Sequence, residues 1–434
     1  ERVQPTDERA QFEGENWSGP RSGFYGTRSL RWYAGLATLG EGIDDERARR
    51  FVEAGYEDYT DLLAYRSNAA GDVGGTASAT IAYALGHYPW AEFNFFHTFE
   101  SATDESIAED WPYVALLPSY YFWNQLPSAP DTGVREFGAG DAHHWTNEIR
   151  EIHRLHMHFT QIVHFYGDER TLAAQFAKWL RERTPREMHP DQLAFPLTRF
   201  FAHKIRPNLK PKGPPDELDT ARLFRGMGQT FFRSGYGPDD TYALFTANGR
   251  IASHKHYDHN SFAIFKNGFL AIDSGARAYP SNHLSHYYCR TTAHNCMLIR
   301  MPGEELPRGY WGDPTPAPKE ADRPIPNDGG QRKQIGSEVV AFETTPDYSY
   351  AAGDATDTYH EKKCDQALRQ FVYVPPDHFV IFDRVRATTP EYEKTWLLHT
   401  AHEPAIEDDT ITATHENGRL FSQTLLPRTA DIRT

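Results

Sequence analysis

Hydrophobic periodicity changes once along this chain, and the change falls at a segment that neither a helix nor a central strand tolerates. The stretch from Pro207 to Pro215 contains Pro207, Pro211, Pro214 and Pro215 with Gly213 among them. Each proline lacks a backbone N–H and fixes its own φ. Before this stretch, apolar residues recur at three-to-four spacing over Arg28–Leu39, Asp45–Arg66, Ala102–Trp123, Ala142–Phe165 and Glu169–Arg183, which predicts helices. Asp45, Thr103 and Asp168 stand where helix caps are expected. Tyr88–Phe96 and Pro127–Gly140 read as loops. From about residue 221 the period becomes two. Strands are expected at Gln229–Arg233, Thr241–Thr246, Phe262–Phe265, Phe269–Ile272, Asn295–Ile299, Glu338–Thr344, Leu368–Val374, Phe379–Val385 and Lys394–His399, with a long loop over Pro302–Gln331. The expected fold class is therefore α+β and multidomain: a helical domain over 1–212, then an antiparallel β-sheet domain over 221–434.

The densest chemistry lies in the second half. His254, His256, Asp258 and His259 fall within six residues. Burying such a group requires a metal, proton transfer or complete hydrogen bonding. Asn267-Gly268 follows as a hairpin signal, with Asp273 at the far end of the hairpin. The spacing also matches the HxHxDH pattern of metallo-β-lactamase-type dinuclear sites. That motif opens a loop leading into a helix, whereas a hairpin follows here. On an extended strand His254 and His256 would share one face and could do different jobs.

Composition narrows the partners. The net charge of −15 lacks the basic field of a nucleic-acid binder, so no nucleic-acid partner is expected. No run approaches a membrane span. Cys289, Cys296 and Cys364 form neither a Cys-x-x-Cys pair nor a disulfide framework. Aromatic residues make up 14% of the chain, a share that suits stacking on sugar rings, with Trp17, Trp32, Trp90, Trp111 and Trp145 as candidates. The chain begins at Glu1 rather than Met, so a removed signal peptide or a fragment is expected.

Three elements occur in order: His254-Lys-His256, Asp273-Ser-Gly275, and Tyr287-Tyr-Cys-Arg290 running on to His294-Asn295. Together with Arg369–Val385 and Trp396–His399, they resemble the heparinase II/III-like polysaccharide lyases, the heparinase and oligoalginate lyase type. The resemblance covers about 225–405. It implies an (α/α) toroid-type helical domain, possibly incomplete, followed by an antiparallel β-sandwich. It also implies β-elimination on a uronic-acid-containing glycan, and a periplasmic or secreted bacterial protein. His254 would be the active-site histidine of the sheet domain. His256, Asp273 and His294 would bind one structural zinc ion, with Asp258 and His259 in support.

By the same resemblance Tyr288 is a candidate catalytic tyrosine, and Tyr287 and Arg290 are candidate substrate contacts. In the helical half, Gly23–Leu36 looks similar to the family's neutraliser segment, with Tyr25 where a histidine is expected and Arg28 near the expected glutamate. Tyr83 follows 58 residues after Tyr25 as the candidate general acid. His143, His144 and Trp145 end a Gly/Asp loop where a helix is expected to begin, and could line the cleft. A uronate C5-epimerase would use the same proton abstraction. A non-catalytic glycan-binding homologue is the alternative that the Tyr25 departure keeps open.

Overall fold

The structure, a computed structural model, describes residues 29–75, 89–127, 140, 152–168, 170–183, 204, 206–214, 219–247, 255–276, 284–306 and 325–434. The chain forms two compact units. One comprises Glu1–Phe122, Arg150–Asp216 and Arg250–Ser253; the other comprises Trp123–Ile149, Glu217–Gly249 and His254–Thr434.

The first unit is helical, with α1 Ser29–Thr38, α2 Asp45–Ala70, α3 Pro89–Thr103, α4 Leu117–Asn124, α5 Ile152–Tyr166 and α6 Thr171–Arg183. α4 runs on into the second unit. Asp44, one residue before the expected cap, accepts from Arg47 N at 3.0 Å and starts α2. Two expectations change. The aromatic stretch read as a loop belongs to α3, where Phe93, Phe95 and Phe96 are all fully buried. Residues 91–97 are buried on every side, with polar Glu92, Asn94 and His97 among them, so polarity does not mark an outer face for periodicity to detect. The expected helix Ala102–Trp123 is instead the end of α3, two short 3₁₀ turns and α4, because Pro112 opens the second turn and breaks the α ladder. Trp32 is core rather than a sugar platform. It is buried, donates to Thr98 Oγ1 at 2.8 Å, and packs against Phe95 and Phe99.

The second unit is antiparallel throughout its described strands. Its five-stranded sheet has the order β1-β2-β3-β4-β5, from Ala221–Phe224, Gln229–Arg233, Tyr242–Thr246, Ser261–Phe265 and Phe269–Ala271. A four-stranded sheet has the order β10-β9-β8-β7. It is built from β7 Glu338–Thr344, β8 Ser349–Asp354, β9 Cys364–Val374 and β10 His378–Ala387. β6 Met297–Arg300 pairs with β11 Glu393–Trp396, while β12 Ala405–Glu407, β13 Thr410–His415 and β14 Gly418–Gln423 form a last small sheet.

Phe232, Phe245 and Phe262 of the first sheet meet Phe371 of the second at ring-centroid distances of 5.1, 5.6 and 5.7 Å. The two sheets thus share one apolar core, the arrangement of a β-sandwich. The Asn267-Gly268 turn and a second Asn-Gly turn, Asn417-Gly418, dock on each other. Asn417 N donates to Asn267 O at 3.1 Å, and a side chain at Gly268 would collide with the His415 carbonyl. Trp123–Gln125 associate with the sheet unit because buried Arg233 lies over Trp123 and donates to Gln125 O. Cys289, Cys296 and Cys364 are free and buried. No helix among the described residues is long and apolar enough to cross a membrane.

Candidate active site

His256 does not lie on a strand. Residues 255–260 form a turn leading into β4, in which Ser261 N donates to Asp258 O at 3.1 Å. Asn260 takes φ 62°, a left-handed conformation that asparagine tolerates. Its amide donates to Gly353 O at 3.0 Å and Ala367 O at 3.3 Å, which anchors the turn to the second sheet.

The turn carries Asp258 round to Asp273, beyond β5, and to His294, which follows the 3₁₀ turn Thr291–Ala293. The three side chains are buried and their ligand atoms all lie within 4.8 Å of one another. His294 Nδ1 is 2.7 Å from Asp273 Oδ1. The His256 ring, also buried, has its centroid 5.3 Å from that of His294. Asp273 and His294, both predicted as metal ligands, are thus brought together with Asp258, which the sequence reading had only in support, and His256 stands beside them.

Charge explains what this cluster can do. Burial raises the Asp258 carboxyl above its ordinary range, with the Asp273 charge adding to it and His294 and Lys255 opposing. Burial alone would lower His294, but the charge and hydrogen bond of Asp273 outweigh it and raise the imidazole. Asp258 Oδ1 is buried with no hydrogen-bond partner among the described residues. A divalent cation would satisfy that oxygen and neutralise the two carboxylates, so the donor set fits a metal ion.

Neighbouring residues hold the turn rigid. Burial pulls the Lys255 ammonium down to about 7, against the attraction of Asp258. Burial, reinforced by Lys255, holds His259 well below its ordinary value. His259 Nε2 lies 3.2 Å from Lys333 O, which can only accept, so the ring is neutral with its proton on Nε2. Gln331 grips the His259 backbone from both sides: its Oε1 accepts from His259 N at 3.0 Å and its Nε2 donates to His259 O at 2.9 Å. Asn295 donates to Phe262 O and Ile272 O while its Oδ1 accepts from His399 N at 2.6 Å. Gln331 carries no signature in sequence, whereas Asn295 ends the His294-Asn295 run quoted for the resemblance. His399 had a signal, as the end of the Trp396–His399 stretch. Burial and the nearby His294 charge lower its imidazole to about 4.

Gly275 shows why the Asp-x-Gly spacing matters. A Cβ there would lie 2.7 Å from His294 Nε2 and closer still to its Cε1 and to the Tyr288 carbonyl. Tyr287 is exposed at 38%, and Tyr288 is half-buried. Arg290, expected as a substrate contact, is 1% exposed, sits over the Tyr257 ring, and directs Nε and Nη2 at Asp328, each 3.3 Å away. Its charge braces the Asp328 loop. His254, Tyr25, Arg28, Tyr83, His143, His144 and Trp145 lie outside the described residues.

The helical unit holds a second group with metal-ligating side chains: His97, Glu100 and His164. Its hydrogen bonds argue against a cation. Lys204 N donates to His164 Nδ1 at 2.7 Å, so the proton of the neutral ring is on Nε2, which points to Glu100 Oε2 at 3.2 Å. No lone pair of His164 is left for a metal. We predict that His164→Gln leaves the metal content of the protein unchanged, as measured by elemental mass spectrometry.

Residues 217–431 match the heparinase II/III-like C-terminal domain family. Among curated proteins no relative matches the chain. Among solved structures, heparan sulfate lyase HepC from Pedobacter heparinus is similar at 14% identity and TM-score 0.58, over 92% of this chain and 52% of that one. Heparinase III is similar at 15% identity and TM-score 0.54, over 91% of this chain and 53% of that one. At such identities the likeness shows the fold: helices followed by a β-sandwich. The chain spans about half the length of these structures. The three segments that converge on the buried carboxylate–histidine cluster all lie within residues 217–431, and that stretch is a heparinase II/III-like C-terminal domain.

Proposed function

We propose that this protein is a polysaccharide lyase that cleaves a uronic-acid-containing glycan by β-elimination. The observation that carries the reading is the buried Asp258–Asp273–His294 cluster, set within a heparinase II/III-like domain at the predicted His256/Asp273/His294 segments. In such a reaction a base takes the proton on C5, beside the carboxylate, and an acid protonates the leaving oxygen on C4. Negative charge grows on the uronate carboxylate, so donors must face it. By the family resemblance, the proton transfers would fall to His254, Tyr288 and Tyr83. Tyr25 and Arg28 would neutralise the substrate carboxylate, and His143, His144 and Trp145 would contact the sugar. The zinc ion, bound by Asp273 and His294 with His256 and Asp258, would be structural, supplying charge that pins three chain segments together. The substrate partner is an anionic polysaccharide or oligosaccharide, met in the periplasm or outside the cell.

Incubation with a panel of alginate, heparan-, chondroitin- and ulvan-type chains tests this directly. The expected product carries a C4–C5 double bond conjugated with the carboxylate, read as new ultraviolet absorbance. No absorbance with any member of the panel, or a change of uronate configuration without cleavage, would defeat the lyase reading. For the metal, His256→Ala, Asp258→Ala, Asp273→Ala and His294→Ala are each expected to lower bound zinc by about 10- to 100-fold in affinity or more. Retention of zinc at wild-type affinity by Asp258→Ala would return Asp258 to a supporting place.

A further inference from the structure

Ser274 stands between Asp273 and Gly275, and its hydroxyl joins three segments. Ser274 Oγ donates to Ala293 O at 2.8 Å, immediately before His294, and lies 3.0 Å from the hydroxyl of Tyr287. A serine hydroxyl has one proton and two lone pairs, whereas a carbonyl oxygen can only accept. The serine proton therefore goes to Ala293 O, and Tyr287 must donate its own phenolic proton to Ser274 Oγ. Tyr287 sits on the π-helical turn Leu284–Tyr288 with its ring edge-to-face against Tyr288 at 5.5 Å. Tyr287 is 38% exposed.

This arrangement constrains what Tyr287 can do. A phenol whose proton is committed to Ser274 has none to give to a leaving oxygen. What remains for a ligand is an exposed ring face and phenolic lone pairs held in a fixed direction. A pyranose ring offers the matching chemistry: C–H faces that stack on an aromatic ring, and hydroxyl groups that donate.

We propose that Ser274 is a positioning residue that fixes Tyr287 as a stacking platform and hydrogen-bond acceptor for a sugar ring beside the buried cluster, leaving proton transfer to other residues. This rests on the glycan-directed reading of the site and divides the labour of its two adjacent tyrosines.

Steady-state kinetics on whichever polyuronide yields unsaturated product tests it, with zinc content measured in every variant. Ser274→Ala and Tyr287→Phe are expected to raise KM about three- to tenfold, the worth of one neutral hydrogen bond. Their kcat should stay within about twofold of wild type, since only binding common to ground and transition states is lost. Ser274→Thr, which keeps the hydroxyl, should restore KM, and Tyr287→Leu should raise it further than Tyr287→Phe. A Tyr287→Phe variant that loses about 100-fold or more in kcat would make the tyrosine an acid or base and overturn the proposal. So would an unchanged KM in Ser274→Ala. If no polyuronide yields unsaturated product, the lyase reading fails by itself, and the same variants are compared by calorimetric titration with the same glycans. Weaker binding by Ser274→Ala and Tyr287→Phe then supports the proposal. Equal binding by the variants, or no binding by the wild type, overturns it.

Discussion

Replacing Arg369 by methionine is expected to destabilise the sheet unit by about 3–5 kcal/mol, the usual consequence of removing one partner from a buried ion pair. Arg369 lies on β9 and is 1% exposed. Its Nε and Nη2 bond both carboxylate oxygens of Asp383 on β10, at 2.7 and 2.9 Å. Burial alone would lower the guanidinium, but Asp383 outweighs it and raises it, so the group is charged throughout the accessible range. Its remaining nitrogen, Nη1, donates to Asn260 O at 2.6 Å and Asn295 O at 2.5 Å. Those carbonyls belong to the left-handed residue that ends the Asp258 turn and to the residue after His294. Methionine keeps much of the volume but leaves a carboxylate and two carbonyls without their donor. Urea unfolding should therefore show a lower midpoint with little change in slope. The double variant Arg369→Met/Asp383→Leu should recover part of the loss, because it also removes the stranded charge. A shift below about 1 kcal/mol for Arg369→Met would show that water reaches this pair freely, as it does at surface ion pairs.

The position of Arg369 also shows where sequence reasoning stops. Alternation made β9 and β10 legible as strands, and inward-facing Phe371 and Tyr373 follow from it. An arginine in the same run carries no such signal, because its partners Asn260 and Asn295 lie 109 and 74 residues away. The order of helices and strands was legible because the period changes across Pro207–Pro215. α3 was not, because its stretch 91–97 is buried on every side and shows no amphipathic stripe. In the site, Asp273 and His294 were readable from motif order. The nearness of Asp258 was not readable from motif order, because it depends on a turn that Asn260 closes at φ 62° and that brings Asp258 to the other two side chains. The inward turn of Arg290 toward Asp328 likewise depends on a loop 38 residues downstream that periodicity cannot place.

Gly275→Ala is expected to be the most damaging single-methyl change in the site. The added Cβ would fall 2.7 Å from His294 Nε2, with the ring carbon Cε1 and the Tyr288 carbonyl oxygen nearer still. Neither neighbour can give way easily. His294 is fully buried and held 2.7 Å from Asp273 Oδ1, and the other obstacle is backbone. Gly275 itself is tied down, since its N–H donates to Asp273 Oδ1 at 2.9 Å. Relief requires moving either the His294 ring or the Asp273–Gly275 segment, and both moves separate ligand atoms that now lie within 4.8 Å of one another. Overpacking of this kind destabilises by about 1–3 kcal/mol. Loss of a bound metal adds to that, because an ion held only by the folded state stabilises it by mass action. Gly275→Ala should thus bind little zinc, and its melting temperature should no longer respond to added zinc or to chelator. Wild type should lose stability on chelation and regain it when zinc is returned. Ser274→Ala, one residue away, removes a hydroxyl without adding bulk and should keep its zinc and its response to chelator. A Gly275→Ala protein with full zinc and an unaltered chelator response would mean that the Asp-x-Gly spacing serves the hairpin rather than the imidazole of His294.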